Sequence, residues 1–364
     1  MTTDERSSSM IAEISFARSI VVAPDIGVDN PPGYKVPDLK HGPEPLTLQA
    51  ADGHRIGGFV WRHPGTTREP RAVVIINPAT SVRCRYYSRF AAFLFESGYD
   101  VITYDYRGIG ESRPTKLRGF DAGWVDWGCL DFEAALRHAD RSFPGQPIYV
   151  VAHSVGGVLI GLAESNHLIR RIFTMGAQYA YWRDYAPGQK LRLLAKWHVA
   201  MPLVTLAFGY FPGQQLGWLE DTPKGVVRDW VLSRERFEDT WRGRSWTRYP
   251  DKRTLVRRFE AVSAPTLAVG VTDDEFGTVP AVERLLRYFR QSARTHLRIA
   301  PESVAERRIG HFAFFHSRFE HTLWQIPLEW LNTGKLGSNR PGRVVSSHQP
   351  VAQTQRSLIA GHGN

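Results

Sequence analysis

The run Tyr149-Val150-Val151-Ala152-His153-Ser154-Val155-Gly156-Gly157 constrains this chain more than any other stretch. Tyr149 to Val151 continue an apolar, β-branched segment that reads as a strand buried on both faces. Ala152 to Gly156 follow as small-x-Ser-x-Gly, and Gly157 to Leu162 read as a packed helix. A sharp strand-to-helix turn there lifts the Ser154 hydroxyl above a sheet. It needs small residues at 152 and 156 because the two backbones nearly touch. The helix N-terminus adds N–H groups and partial positive charge beside the hydroxyl. Alone, the five-residue pattern arises by chance in about one chain in three of this length, so its flanks decide.

Those flanks alternate strand and helix. Pro45 to Ala50, Asp52-Gly53 and Arg55 to Trp61 form a hairpin signal, alternating apolar residues around an Asp-Gly turn. Arg71 to Asn77 is a near-continuous apolar run, as expected of a strand covered on both sides. Further strands are expected at Asp100 to Asp105, Gln146 to Ala152, Arg170 to Met175, Pro265 to Val271 and Thr295 to Ala300. Helices are expected at Arg85 to Ser97, Phe120 to Ser142, Val279 to Gln291 and Phe314 to Asn332, the last kinked or broken near Pro327. This alternation predicts an α/β fold: a mostly parallel central sheet with helices on both faces. Between about residues 178 and 260 it is interrupted by a stretch dense in Trp, Tyr, Phe and Arg, which reads as an inserted helical cap.

The expected organisation is therefore an N-terminal extension (1–44), a first core part (45–177), the cap (178–260), a second core part (261–333) and a disordered C-terminal tail (334–364). Two cysteines, Cys84 and Cys129, make no disulfide framework and point to a reducing, cytoplasmic setting. No secretory signal is evident in Met1 to Ala23. Trp197 to Phe211, interrupted by His198 and Pro202, reads as a buried lid helix too short to span a membrane, so membrane contact is not expected.

The formal net charge of +10 does not imply nucleic acid, because no basic module accompanies it. Much of it lies in Arg228 to Arg258, mixed with Asp229, Glu235, Glu238, Asp239 and Asp251. That pattern fits a solvated surface; the sharper reading is a cationic rim for an anionic substrate. No His-Glu-x-x-His or other metal-ligand cluster occurs, and Asp105 to Ser112 lacks the third glycine of a dinucleotide loop. No metal or cofactor is expected.

In a parallel sheet ligands sit at the carboxyl ends of the strands. The loops after residues 77, 105, 152, 271 and 300 should converge on one crevice. A serine hydroxyl needs a base within reach, and the base an orienting carboxylate. Asp273 and Asp274 follow one strand end, and Gly310-His311-Phe312 follows the next. Ser154, Asp274 and His311 stand in the chain order Ser, acid, His, with Asp273 as the alternative acid. Donors for a tetrahedral oxyanion should be the backbone N–H of Val155 and that of Ala79 or Thr80. His153 would support the turn or face the pocket.

With these residues in place the sequence resembles the α/β-hydrolase superfamily over roughly residues 45–333. The matching segments are Asp105 to Ser112, Ala152 to Gly157, Asp273-Asp274 and Gly310-His311-Phe312. Pro78 to Ser81, Arg85-Tyr86-Tyr87 and Gly310 to Phe315 are similar to a subgroup of bacterial hydrolases, near the serine aminopeptidase and monoacylglycerol-lipase-like branch. Asn77-Pro78-Ala79 replaces the usual His-Gly before the oxyanion loop, and Ala152 replaces the usual Gly. The resemblance implies a serine hydrolase acting on a small acyl substrate, an ester or thioester with an apolar acyl group. An acyltransferase with the same triad and a non-catalytic binding protein are the alternatives. Cap aromatics, among them Tyr179, Tyr181, Trp197, Phe208, Trp230 and Trp246, should form an apolar chamber over Ser154, about a third of them lining it.

Overall fold

The computed structural model describes residues 42–64, 72–241 and 251–350. The N-terminal extension to residue 41, Trp246 in the cap and the tail beyond residue 350 lie outside the described residues.

Nine strands form one sheet: β1 (Glu44–Gln49), β2 (Arg55–Trp61), β3 (Val73–Asn77), β4 (Asp100–Tyr104), β5 (Ile148–His153), β6 (Ile169–Met175), β7 (Thr266–Val271), β8 (Arg294–Ile299) and β9 (Arg343–His348). Their order is β1-β2-β4-β3-β5-β6-β7-β8-β9. Strands β3 to β8 run parallel; β1, β2 and β9 are antiparallel to their neighbours. The continuous apolar runs are explained by two cores. Val73, Ile75, Val150 and Ala152 enter the core on one face, and Val74, Ile76, Tyr149 and Val151 enter the other. Each fully buried Val or Ile contributes about 1.5–3 kcal/mol of transfer free energy, which leaves little tolerance for polar residues in β3.

Helices flank the sheet. The face lined by Val74 and Ile76 carries α1 (Ser88–Glu96), whose Phe90, Ala91 and Leu94 are buried, and the closing helix. The opposite face carries α2, residues 124–142, which widens into a π turn over Trp127–Phe132, and α3 (Val155–Leu162). The closing segment departs from expectation. Residues 313–319 form two short 3-10 turns, and the helix starts only at Gln325, with Pro327 in its first turn, where its missing N–H breaks no ladder bond.

Two further corrections concern the ends and the lid. The tail predicted to be disordered from residue 334 instead supplies β9, paired from Arg294↔His348 to Arg298↔Arg343. Its RVVSSH sequence carries little apolar signal because it is an edge strand with both ends exposed. Glu283 anchors it, accepting from Ser346 Oγ at 2.6 Å and facing His296 Nδ1 at 2.8 Å.

The lid helix runs from Pro187 to Phe208, 22 residues, long and apolar enough by length and composition to cross a membrane. It is not buried all round. Leu193, Trp197, Met201 and Thr205 face inward at four-residue spacing, whereas Leu191, Val199, Leu203 and Leu206 are exposed. Pro202 lies within it and cannot donate to the preceding turn. Just upstream the helix widens into a π turn over Leu194–Ala200, and both Lys196 and Trp197, adjacent in sequence, become buried.

Candidate active site

The site is built at the carboxyl ends of β3, β5, β6, β7 and β8. Ser154 follows β5 and precedes α3 with φ 55° and ψ −122°, a conformation costing about 1–3 kcal/mol for a residue with a side chain. It persists because its surroundings are closed. A Cβ on Gly156 would stand 2.5 Å from the Asn77 carbonyl oxygen and 2.9 Å from that of Pro78. The Asn77 side chain fastens the same crossing, donating to the Gly156 carbonyl at 3.2 Å and accepting from Tyr104 at 2.8 Å. Gly156→Val is therefore expected to destabilise the fold by about 1–3 kcal/mol or more, by backbone overpacking. Chemical denaturation measures this, and a midpoint equal to wild type would disprove the crossing.

The two aspartates separate by their partners. Asp274 Oδ2 lies 2.7 Å from His311 Nδ1, and its Oδ1 accepts the N–H groups of Phe276 and Gly277, each at 2.8 Å. Complete burial would raise its pKa; the His311 charge and hydrogen bond, with those two amides, outweigh burial and hold the carboxyl below the usual range. Asp273 instead accepts the N–H groups of Ile309 at 2.9 Å and Gly310 at 3.0 Å, pinning the loop that delivers His311.

His153 joins the two loops facing Ser154. Its Nε2 lies 2.8 Å from the His311 carbonyl oxygen, so Nε2 carries the proton and donates. Nδ1 then accepts from the Tyr87 hydroxyl at 2.8 Å, and that hydroxyl accepts the Ala79 N–H at 2.9 Å. Burial first, and the His311 charge second, lower the His153 pKa to about 3, in keeping with a neutral imidazole. This chain corrects one expectation: the Ala79 N–H is committed to Tyr87, which leaves Thr80 of the pair proposed from sequence. Tyr87→Phe leaves an N–H and a ring nitrogen without their partner in a closed interior. It is expected to cost about 1–3 kcal/mol of stability, read by denaturant unfolding.

Ser154, Thr80, Ala79, Asp273 and His311 all border one cavity of about 220 Å³. Among the described residues no hydrogen bond joins Ser154 Oγ directly to the imidazole; its contact is a long one, 3.5 Å, from Gln178 Nε2. Gln178 follows β6, a strand end omitted from the expected crevice, although a parallel strand there calls for a loop on the same rim. The loop after residue 105 does not border the cavity. Asp105 accepts from Cys84 at 2.6 Å and Glu111 at 2.8 Å, and Arg107 is bound to Asp131 at 2.7 Å and Asp52 at 2.6 Å, which hold that loop into the body of the fold.

The chamber is also less uniformly apolar than expected. Of the cap aromatics among the described residues, only Trp197 and Trp230 border it, with Leu193, Leu219, Phe276 and Phe312. Tyr179 packs on Phe237, and Phe211 on Trp218. Arg192, Lys196, Arg308 and Arg318 border it as well, together with Asp273 and Glu275. Among the described residues of 228–258, only Trp230 does so. Arg236 and Arg258 are instead paired with Glu238 at 2.7 Å and Glu164 at 2.8 Å, as a mixed-charge surface requires.

A strained serine at a strand-to-helix turn, with a buried His–Asp pair across a small cavity, defines a serine hydrolase built on a doubly flanked sheet. Residues 68–302 match the family described as serine aminopeptidase, S33, and the chain belongs to this family within the α/β-hydrolase superfamily. No curated protein matches the sequence significantly. Among solved structures, a soluble variant of monoglyceride lipase from Saccharomyces cerevisiae is similar at 16% identity and a TM-score of 0.58, covering 85% of this chain and 100% of that one. The Pyrococcus furiosus esterase PF2001 is similar at 14% identity and a TM-score of 0.52, covering 83% and 97%. At such identities the likeness concerns the fold.

Proposed function

We propose that this serine hydrolase cleaves an ester or thioester with an apolar acyl group, through Ser154, His311 and Asp274. The observation that carries this reading is the buried 2.7 Å contact between His311 Nδ1 and Asp274, on a loop bordering the same cavity as Ser154. Asp274 fixes the imidazole with its proton on Nδ1, so Nε2 is left as the base. Substrate entry draws Ser154 Oγ and Nε2 together, since such hydrogen bonds are often long before substrate binds. Oγ attacks the carbonyl carbon as Nε2 takes its proton. The N–H groups of Val155 and Thr80 receive the oxyanion. Collapse breaks the acyl–oxygen or acyl–sulfur bond, and the imidazolium returns its proton to the leaving group. Water, deprotonated by His311, then releases the acid and regenerates Ser154.

Leu193, Leu219, Trp230 and Phe276 provide the wall for the acyl chain. A fluorophosphonate probe should label wild type and leave Ser154→Ala unlabelled, with hydrolysis of p-nitrophenyl butyrate lost in parallel. Labelling that survives the substitution would remove Ser154 from the reaction.

A further inference from the structure

Lys196 is the one cation bordering the cavity whose nitrogen is buried without a hydrogen-bond partner among the described residues. The residue is 6% exposed, and its ammonium rests against the faces of Trp197 at 4.6 Å and Trp218 at 4.2 Å. Two indole faces stabilise a cation by about 0.5–2 kcal/mol each, but they do not replace an anion for a charge removed from water. Burial, then the charge of Arg192, lowers its pKa to about 8, with Glu275 opposing, so the group stays largely protonated at neutral pH.

The carboxylates nearby are already committed. Glu275 is paired with Arg192 at 3.0 Å, and Asp273 holds the Ile309 and Gly310 amides. The cavity border therefore carries four cationic side chains against two engaged carboxylates, and among the described residues no carboxylate forms an ion pair with Lys196. Lys196 also lies at the end of a path leading away from the reacting centre. Ring contacts run from His311 to Phe276 at 5.2 Å and from Phe276 to Trp197 at 6.2 Å, and the Lys196 ammonium sits on the far ring.

We propose that Lys196 makes the cavity selective for acyl chains that end in a carboxylate, so that the substrate is an ester or thioester of a dicarboxylic acid. This rests on the ester-cleaving role given to Ser154 and His311, and names the acyl class it would process. The chain's carboxylate moves in beside the ammonium as the partner the fold withholds. The remaining methylenes lie against Phe276, Trp197 and Leu193. Lys196 takes no part in bond making; it sets which acyl group is held in reach of Ser154.

The test compares p-nitrophenyl monoesters of glutaric, adipic and suberic acids with alkanoates of equal chain length. Wild type should favour the carboxylate ester at one length by about tenfold or more in kcat/KM, the scale of a hydrogen bond to a charged group. Lys196→Met should bring that ratio close to one, and Lys196→Arg should retain part of it. A wild-type ratio near one overturns the proposal without reference to any variant. So does a Lys196→Met protein that loses both esters in parallel and keeps the ratio. Should neither ester be cleaved, the ester-cleaving reading has failed on its own. Titration of free adipate and glutarate against tryptophan fluorescence then decides the Lys196 question separately. Saturable quenching in wild type, weakened at least tenfold in Lys196→Met, upholds it; no quenching, or equal quenching in both, overturns it.

Discussion

Ser154→Ala is expected to lower kcat on p-nitrophenyl butyrate by about 10⁴- to 10⁶-fold, the range seen when a triad nucleophile is removed. The fold should survive. Alanine at φ 55° meets the same backbone penalty as serine, so the substitution neither adds nor relieves strain. Ser154→Gly separates the two properties: it should lose activity equally and gain up to about 1–3 kcal/mol in stability, because glycine adopts positive φ freely. Activity within tenfold of wild type in the alanine variant would show that another nucleophile operates. An alanine variant that unfolds would show that the hydroxyl, and not only the backbone, holds the turn.

The second large effect discriminates between adjacent carboxylates. Asp274→Asn should reduce kcat by about 10⁴-fold with little loss of structure. The asparagine oxygen can still accept from the Phe276 and Gly277 amides, but its NH₂ now donates to His311 Nδ1. The imidazole proton is forced to Nε2, where it blocks the base. Asp273→Asn keeps an acceptor for the Ile309 and Gly310 amides and should remain within about tenfold of wild type, since a single net hydrogen bond contributes about 0.5–1.5 kcal/mol. Steady-state kinetics on both variants settles the order. The assignment fails if the 273 variant is the more damaged.

The fold was legible in the sequence wherever burial on both faces left a continuous apolar run. β3, β5 and β7 have that signature, and the Asp-Gly turn marked the β1–β2 hairpin. Chain order brought Ser154, His311 and the two aspartates into the candidate set, but which aspartate meets the imidazole depends on the direction of two side chains from one turn. That is a matter of backbone geometry, invisible to residue type. Ala79 and Thr80 differ for a similar reason: the Tyr87 hydroxyl, eight residues on, captures one amide. Gln178 and Lys196 were missed differently. Gln178 sits beyond the end of β6, a strand expected from sequence but whose loop was not placed at the crevice, and Lys196 is a charged residue in a helix whose face is rotated by a π turn. Its neighbours suggested an apolar lining, and a regular 3.6-residue period does not bury adjacent positions so deeply. β9 went unread because an exposed edge strand is selected for backbone pairing and against hydrophobicity.

That last strand has a consequence for how the protein is made. Every residue assigned to the site leaves the ribosome before Arg343–His348 does, so a nascent chain can assemble its reaction centre while β8 still presents unpaired backbone groups along one margin. In that interval a second nascent chain competes with the chain's own C-terminal segment for the same donors and acceptors. The polar, charged sequence of β9 makes it a poor template for further growth once docked, so the molecule's resistance to misassembly is conferred last, after its chemistry.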